Sequence, residues 1–368
     1  MQSKHKPGRI HAAQMAILVG TLSVFPLSFA VAAQDDQASA DLVQAQAHET
    51  WRETMRHFTP PAEGCYHASY PTTIWSKVDC VKVPIFRSKH ASRQGDKWQT
   101  TGNGYDYAVQ AKANISEAIG SFPKVSGVKS ETDSGSKNDY SLQLNTNFDD
   151  GAAACNGYSA CYSWQQYLLV TNYWALTASQ PTGKSEVFIQ DWLENYGNDV
   201  DGGNTNICPS GWTDTGADQQ GPGDDCARNS SAVVASNTQI PISSLASLKL
   251  SGTATANGND TVTLSYDNEI YSVSTKDTLT DLASNWKQAE FNIVGNGGGS
   301  GATFNKGSSV TVNVAVKDGS TTAPTCLKPS TDPGTTGETN NLNLGSCTAS
   351  AGSTSKGTNP SIQFTESN

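Results

Sequence analysis

Nine short runs in which apolar and polar residues alternate, each closed within a few residues by Gly, Asn or Asp, dictate the architecture of this chain. They cover residues 140–144, 163–170, 187–196, 248–252, 261–266, 270–274, 289–294, 310–316 and 361–365. A period of two buries one face of a strand, and the turn residues between runs send the chain back antiparallel. The pattern predicts an all-β fold, an antiparallel β-sandwich whose two sheets pack face to face. No unit of 20–50 residues recurs, which excludes a propeller or solenoid. Helical spacing is confined to 41–58, where Val43, Ala47, Trp51, Met55 and Phe58 recur at steps of four and three before Pro60 and Pro61.

The first residues read as an address. Lys4, Lys6 and Arg9 precede an apolar stretch over 15–33 that ends in Ala30-Val31-Ala32-Ala33, the three-part layout of a secretory signal peptide. The expected organisation is therefore a signal peptide over 1–33, an N-terminal helix and linker over 34–61, and a sandwich domain over 62–368. Cleavage leaves 21 basic against 34 acidic residues, no membrane attachment, and a secreted or periplasmic location. Eight Cys, all beyond the signal, suit an oxidising compartment. They fall into sequence neighbours, Cys65 with Cys80, Cys155 with Cys161, Cys208 with Cys226 and Cys326 with Cys347, and local pairing would staple loops, although eight Cys allow 105 connectivities. No Cys-x-x-Cys occurs, so a thiolate zinc site or redox motif is not expected.

Charge and histidine placement remove whole classes of function. The net charge of −10 takes away the electrostatic term on which nucleic-acid binding depends. All six His lie at or before residue 90, so the main body cannot supply its own imidazole base to a Ser or Cys nucleophile. Chemistry there must rest on carboxylates, amides, Tyr or Lys. No metal and no cofactor are expected: Asp199, Asp201, Asp224 and Asp225 do not match a calcium loop. The Gly-rich run 295–301 lacks the Lys and helix of a phosphate cradle and reads as a hairpin connection.

Two runs carry an unusual face. In 187–196, alternation puts Val187, Ile189 and Leu193 inward and Phe188, Gln190, Trp192, Glu194 and Tyr196 on the other side. In 286–293 it sends Ala289, Phe291 and Ile293 inward and Trp286, Gln288, Glu290 and Asn292 outward, while 162–167 offers Trp164 and Gln166. As neighbours, these strands would make a polar and aromatic groove for an extended polymer, peptide or polysaccharide.

The stretches 188–197, 208–212, 289–292 and 336–342 resemble a group of uncharacterised secreted microbial β-sandwich proteins. Ile189-Gln190 and Ala289-Glu290-Phe291 resemble the Gln and Glu strands of the eqolisin glutamic peptidases. That resemblance implies a concanavalin-like jelly roll and an acid-active endopeptidase. It makes Glu290 the base that activates water and then the acid toward the leaving amine, and Gln190 the amide that holds the water and stabilises the oxyanion. Two alternatives stay open: a glycosidase using Glu194 and Glu290 as paired carboxyls, with Trp164, Trp192 and Trp286 stacked on sugars, and a lectin-like binding module without catalysis.

Overall fold

The structure, a computed structural model, describes residues 28–85, 106–149, 152–173, 180–197, 207–217, 222–277, 280–328 and 338–368, with side chains from residue 41 onward. Most of the expected signal peptide lies outside them. The chain divides into two compact units, Met1–Ala47 and His48–Asn368. The described part of the first is helical. The second holds every described strand and the end of the same helix, which runs Ser28–His57. This helix starts well before the 41–58 stripe, because Ala-rich 28–40 has good helix propensity although it lacks a marked apolar stripe. Only Trp51 and Met55 of the stripe are buried, packed on Ala68 and Ile270, whereas Val43 and Phe58 are exposed. Among the described residues no helix is long and apolar enough to cross a membrane.

The body is a sandwich of two large, mainly antiparallel sheets, as alternation predicted. All nine expected strands are present, each within about two residues of its expected bounds. One sheet runs in the order Ser76–Val78, Gly64–Ser69, Glu269–Lys276, Asn259–Tyr266, Lys249–Thr253, Glu117–Ser126, Ser309–Lys317, Ser361–Ser367, Asn343–Ser350. The other runs Thr213–Ala217, Asp224–Asn229, Ser185–Tyr196, Tyr162–Thr171, Tyr140–Thr146, Gln288–Gly295, Ala108–Gln110, Thr325–Leu327, with Ser231–Ser236 also on Ser185–Tyr196 and Val81–Lys82 on Ser231–Ser236. They are called the nine-stranded and ten-stranded sheets below.

The core lies between them. Val187, Ile189, Tyr167, Leu169, Leu142, Leu144, Phe291 and Ile293 from the ten-stranded sheet meet Leu250, Val262, Leu264, Val312, Val314 and Phe364 from the other. Two aromatic rings fit because the facing strand carries glycine. A Cβ on Gly120 would lie 2.1 Å from the Phe291 ring, and one on Gly252 would lie 2.3 Å from Tyr167. Glycine weakens a strand interior, and here it is kept because another group occupies the space.

The four disulfides join sequence neighbours: Cys65–Cys80, Cys155–Cys161, Cys208–Cys226 and Cys326–Cys347. The run 295–301 is not a hairpin. Gln288–Gly295 pairs with Tyr140–Thr146 and Ala108–Gln110, whereas Gly301–Phe304 pairs with Glu131–Asp133 and, in parallel, with Thr339–Asn340. The glycines therefore carry the chain from the large sheet to a small four-stranded one.

Candidate functional site

Register builds the site on the face of the ten-stranded sheet turned away from the core. Gln190 stands opposite Asn229 on one side and Gln166 on the other; Gln166 stands opposite Asn145, and Asn145 opposite Glu290. One row thus crosses five strands and presents four amides and an acid. Adjacent strands lie about 4.8 Å apart, so Gln190 and Glu290 share a sheet and a face but are separated by roughly 14 Å.

Hydrogen bonding divides this row into two halves. Gln190 turns toward Asn229: its Nε2 donates to Asn229 Oδ1 at 2.7 Å, and its Oε1 accepts from Trp192 Nε1 at 2.9 Å. The other half leads to the acid. Gln166 Nε2 donates to Asn145 Oδ1 at 3.0 Å, and Asn145 Nδ2 donates to Glu290 Oε2 at 2.6 Å. Gln190 therefore does not come within reach of a water on Glu290 in this arrangement, while Gln166, two strands away, is tied to Glu290 through one side chain.

Between the two halves lies a cleft of about 440 Å³, including its open mouth. Ser141, Gln143, Gln166, Gln190 and the Trp164–Trp192 pair line it, together with Leu168, Val170, Phe188 and Tyr173 and with Asn296, Gly297, Gly298 and Glu338. Trp164 and Trp192 face each other across neighbouring strands, ring planes within 4° and centroids 5.8 Å apart. Their indole nitrogens are taken up by Glu194 Oε1 and Gln190 Oε1. Parity thus brings Trp164, Gln166, Phe188, Gln190 and Trp192 together as expected from alternation.

The other six expected positions, Trp286, Tyr196, Gln288, Glu194, Glu290 and Asn292, do not line the cleft. Trp286 is fully buried in the main core beside Tyr167, because the strand begins only at Gln288 and the short helix Leu282–Asn285 breaks the alternation before it. Tyr196 packs with Leu193, Cys155, Cys161 and Cys226, since a register shift at Asn195, whose φ is +53°, turns it to the side opposite Glu194. Gln288 donates to Gln110 Oε1 beyond the cleft. Glu194 accepts from Trp164 and Tyr162 and lies roughly 20 Å from Glu290, four residues along and three strands across. Paired glycosidase carboxyls stand about 5–9.5 Å apart, so Glu194 and Glu290 are not such a pair.

Glu290 has another partner, and alternation within the nine runs did not reach it. Asp106, next to the strand Ala108–Gln110, is hydrogen-bonded to the Glu290 carboxyl. Asn292 Nδ2 donates to Asp106 Oδ2 at 2.8 Å and to Glu366 Oε1 at 3.0 Å. Asp106, Glu290, Asn292 and Glu366 are all buried. Burial, then the Asp106 charge, hold the Glu290 proton well above the ordinary carboxylate range, and the same causes push Glu366 up to about 8. Two carboxyls hydrogen-bonded to each other can supply a base and an acid from one site when a single proton lies between them. Among the described residues no group of three or more His, Cys, Asp or Glu has the arrangement to hold a metal ion.

No protein-family model and no curated protein matches the chain. Solved structures similar to the chain include three of peptidases. Two are of scytalidoglutamic peptidase, with a transition-state analogue inhibitor and with a peptide-based transition-state analogue, at 13% and 12% identity, TM-scores of 0.24 and 0.29, and coverage of 72% and 73% of this chain and 98% and 99% of theirs. The third is SCP-B, an eqolisin-family peptidase in complex with the tripeptide Ala-Ile-His, at 11% identity and a TM-score of 0.27, covering 72% and 98%. Scores this low do not carry an activity across to this chain.

Proposed function

We propose that the chain is a secreted, acid-active hydrolase of extended polymers, peptide above all, working through the Glu290–Asp106 carboxyl pair. The observation that carries the reading is that pair: two buried carboxyls hydrogen-bonded to each other, joined through Asn145 to an amide on the wall of a polar and aromatic cleft. In the proposed reaction the ionised carboxyl takes a proton from water as the water oxygen bonds to the carbonyl carbon. The other carboxyl then gives its proton to the leaving nitrogen as the C–N bond breaks. The pair ends with one proton, as it began. Gln166, rather than Gln190, is the amide assigned to the oxyanion, being the nearer donor on the same face. The sequence resemblance to glutamic peptidases supports Glu290 in this role, and the disulfides suit an oxidising compartment.

A second reading, a binding module without catalysis, is favoured by one observation: Glu290 is only 1% exposed and does not line the cleft. Incubation with denatured protein and with insoluble polysaccharide separates the two. New peptide termini support the hydrolase; retention of either polymer without product supports the binding module.

A further inference from the structure

Glu366 comes from the opposite layer. It lies on Ser361–Ser367 in the nine-stranded sheet, flanked in register by Val310 and Leu344, on the strand face that carries Ile362 and Phe364. An acid among apolar neighbours is costly unless its oxygens are used, and both are: Oε1 accepts from Asn292 Nδ2 and Oε2 from Asn340 Nδ2 at 3.1 Å. Asn340 also donates to the carbonyl of Ile293, next to Asn292, and Asn292 Oδ1 accepts from the Ile293 amide. Asn292 is thereby fixed with one proton on Asp106 and one on Glu366. The charged groups acting on Glu290 are Asp106 and Glu366, and the one acting on Glu366 is Asp106; all are acidic.

We infer that Glu366, reaching across from the nine-stranded sheet, is a positioning residue of the proposed hydrolase: it anchors Asn292 on Asp106 and adds a third buried carboxyl beside the Glu290–Asp106 pair. The inference rests on the hydrolase reading for its consequence and on the hydrogen bonds for its geometry. Glu366→Gln keeps an acceptor for one Asn but cannot ionise, whereas Glu366→Ala keeps neither function.

The test is the pH profile of peptide hydrolysis by the full chain and both variants, beside the ¹³C carboxyl titration of Glu290 in each. Glu366→Gln is expected to retain activity within about threefold at pH 5 and to lose it at lower pH than the wild type on the alkaline side, by about one unit. Glu366→Ala is expected to lose at least about tenfold in kcat with KM within twofold. A merely structural residue would lower Tm in both variants and leave the alkaline limb in place, and that result overturns the inference. If no hydrolysis is found, the titration still decides: a lower Glu290 midpoint in Glu366→Gln supports the inference, and an unchanged midpoint overturns it.

Discussion

Asn145 Nδ2 donates to Glu290 Oε2 at 2.6 Å from the adjacent strand, and the same Asn accepts from Gln166, which lines the cleft. This single side chain fixes the acid and connects it to the surface that would hold a polymer. Replacing Asn145 with Ala removes the fixed donor from a fully buried carboxyl. Activity is expected to fall roughly 10- to 100-fold in kcat. Stability should fall by about 1–3 kcal/mol, the usual cost of a buried polar group left without its partner. Steady-state kinetics and denaturant melts measure both; unchanged kcat contradicts a role for this contact.

Stability is expected to decline as pH rises from about 5 to 8. Burial raises Glu131 and Glu366 to about 8 and Asp191 to about 7. An acid raised in the folded state binds more protons there than in the unfolded chain, so its contribution is fully present below the unfolded pKa. It is lost as pH climbs through the folded value. Tm should be higher at pH 5 than at pH 8 by about 5 °C or more. A Tm that rises over this window contradicts the buried-acid account.

The rings seated on glycine predict a coupled pair. Gly120→Ala places a methyl 2.1 Å from the Phe291 ring and should cost about 3 kcal/mol, at the upper end for overpacking. In the Phe291→Leu background the same change should cost at least about 1 kcal/mol less, because the ring it would strike is gone. Additive costs in the double-mutant cycle would show that the space is not shared.

Removing Cys208–Cys226, which spans 18 residues and ends on Cys226 beside Leu193 and Tyr196, should destabilise the chain by about 3 kcal/mol. Removing Cys155–Cys161, which spans 6 residues, should cost less. Melts of the double Cys→Ser variants test the order; a reversed order contradicts it.

Alternation read well wherever the strand was continuous. It placed Phe188, Gln190 and Trp192 on one face and Val187, Ile189 and Leu193 on the other, because register along a regular strand fixes every side chain. It failed where the backbone breaks register, before Gln288 for Trp286 and at Asn195 for Tyr196. Gln190 was on the expected face, but a sequence does not state how many strands separate two positions. Asn145 lies just past the 140–144 run, on the same face as Gln143, and extending that run by one residue finds it. Glu366 also had a signal, an acid in phase with Ile362 and Phe364. Asp106 had none, since it precedes a strand of three residues.

The most direct test of the carboxyl-pair account is cleavage of a denatured protein at about pH 5 by the wild-type chain and by Glu290→Gln, with each fold verified by its melt. The account predicts new amino termini from the wild type and a loss of at least about 100-fold in the variant. Equal cleavage by both, or none by the wild type across pH 3–7, would contradict it.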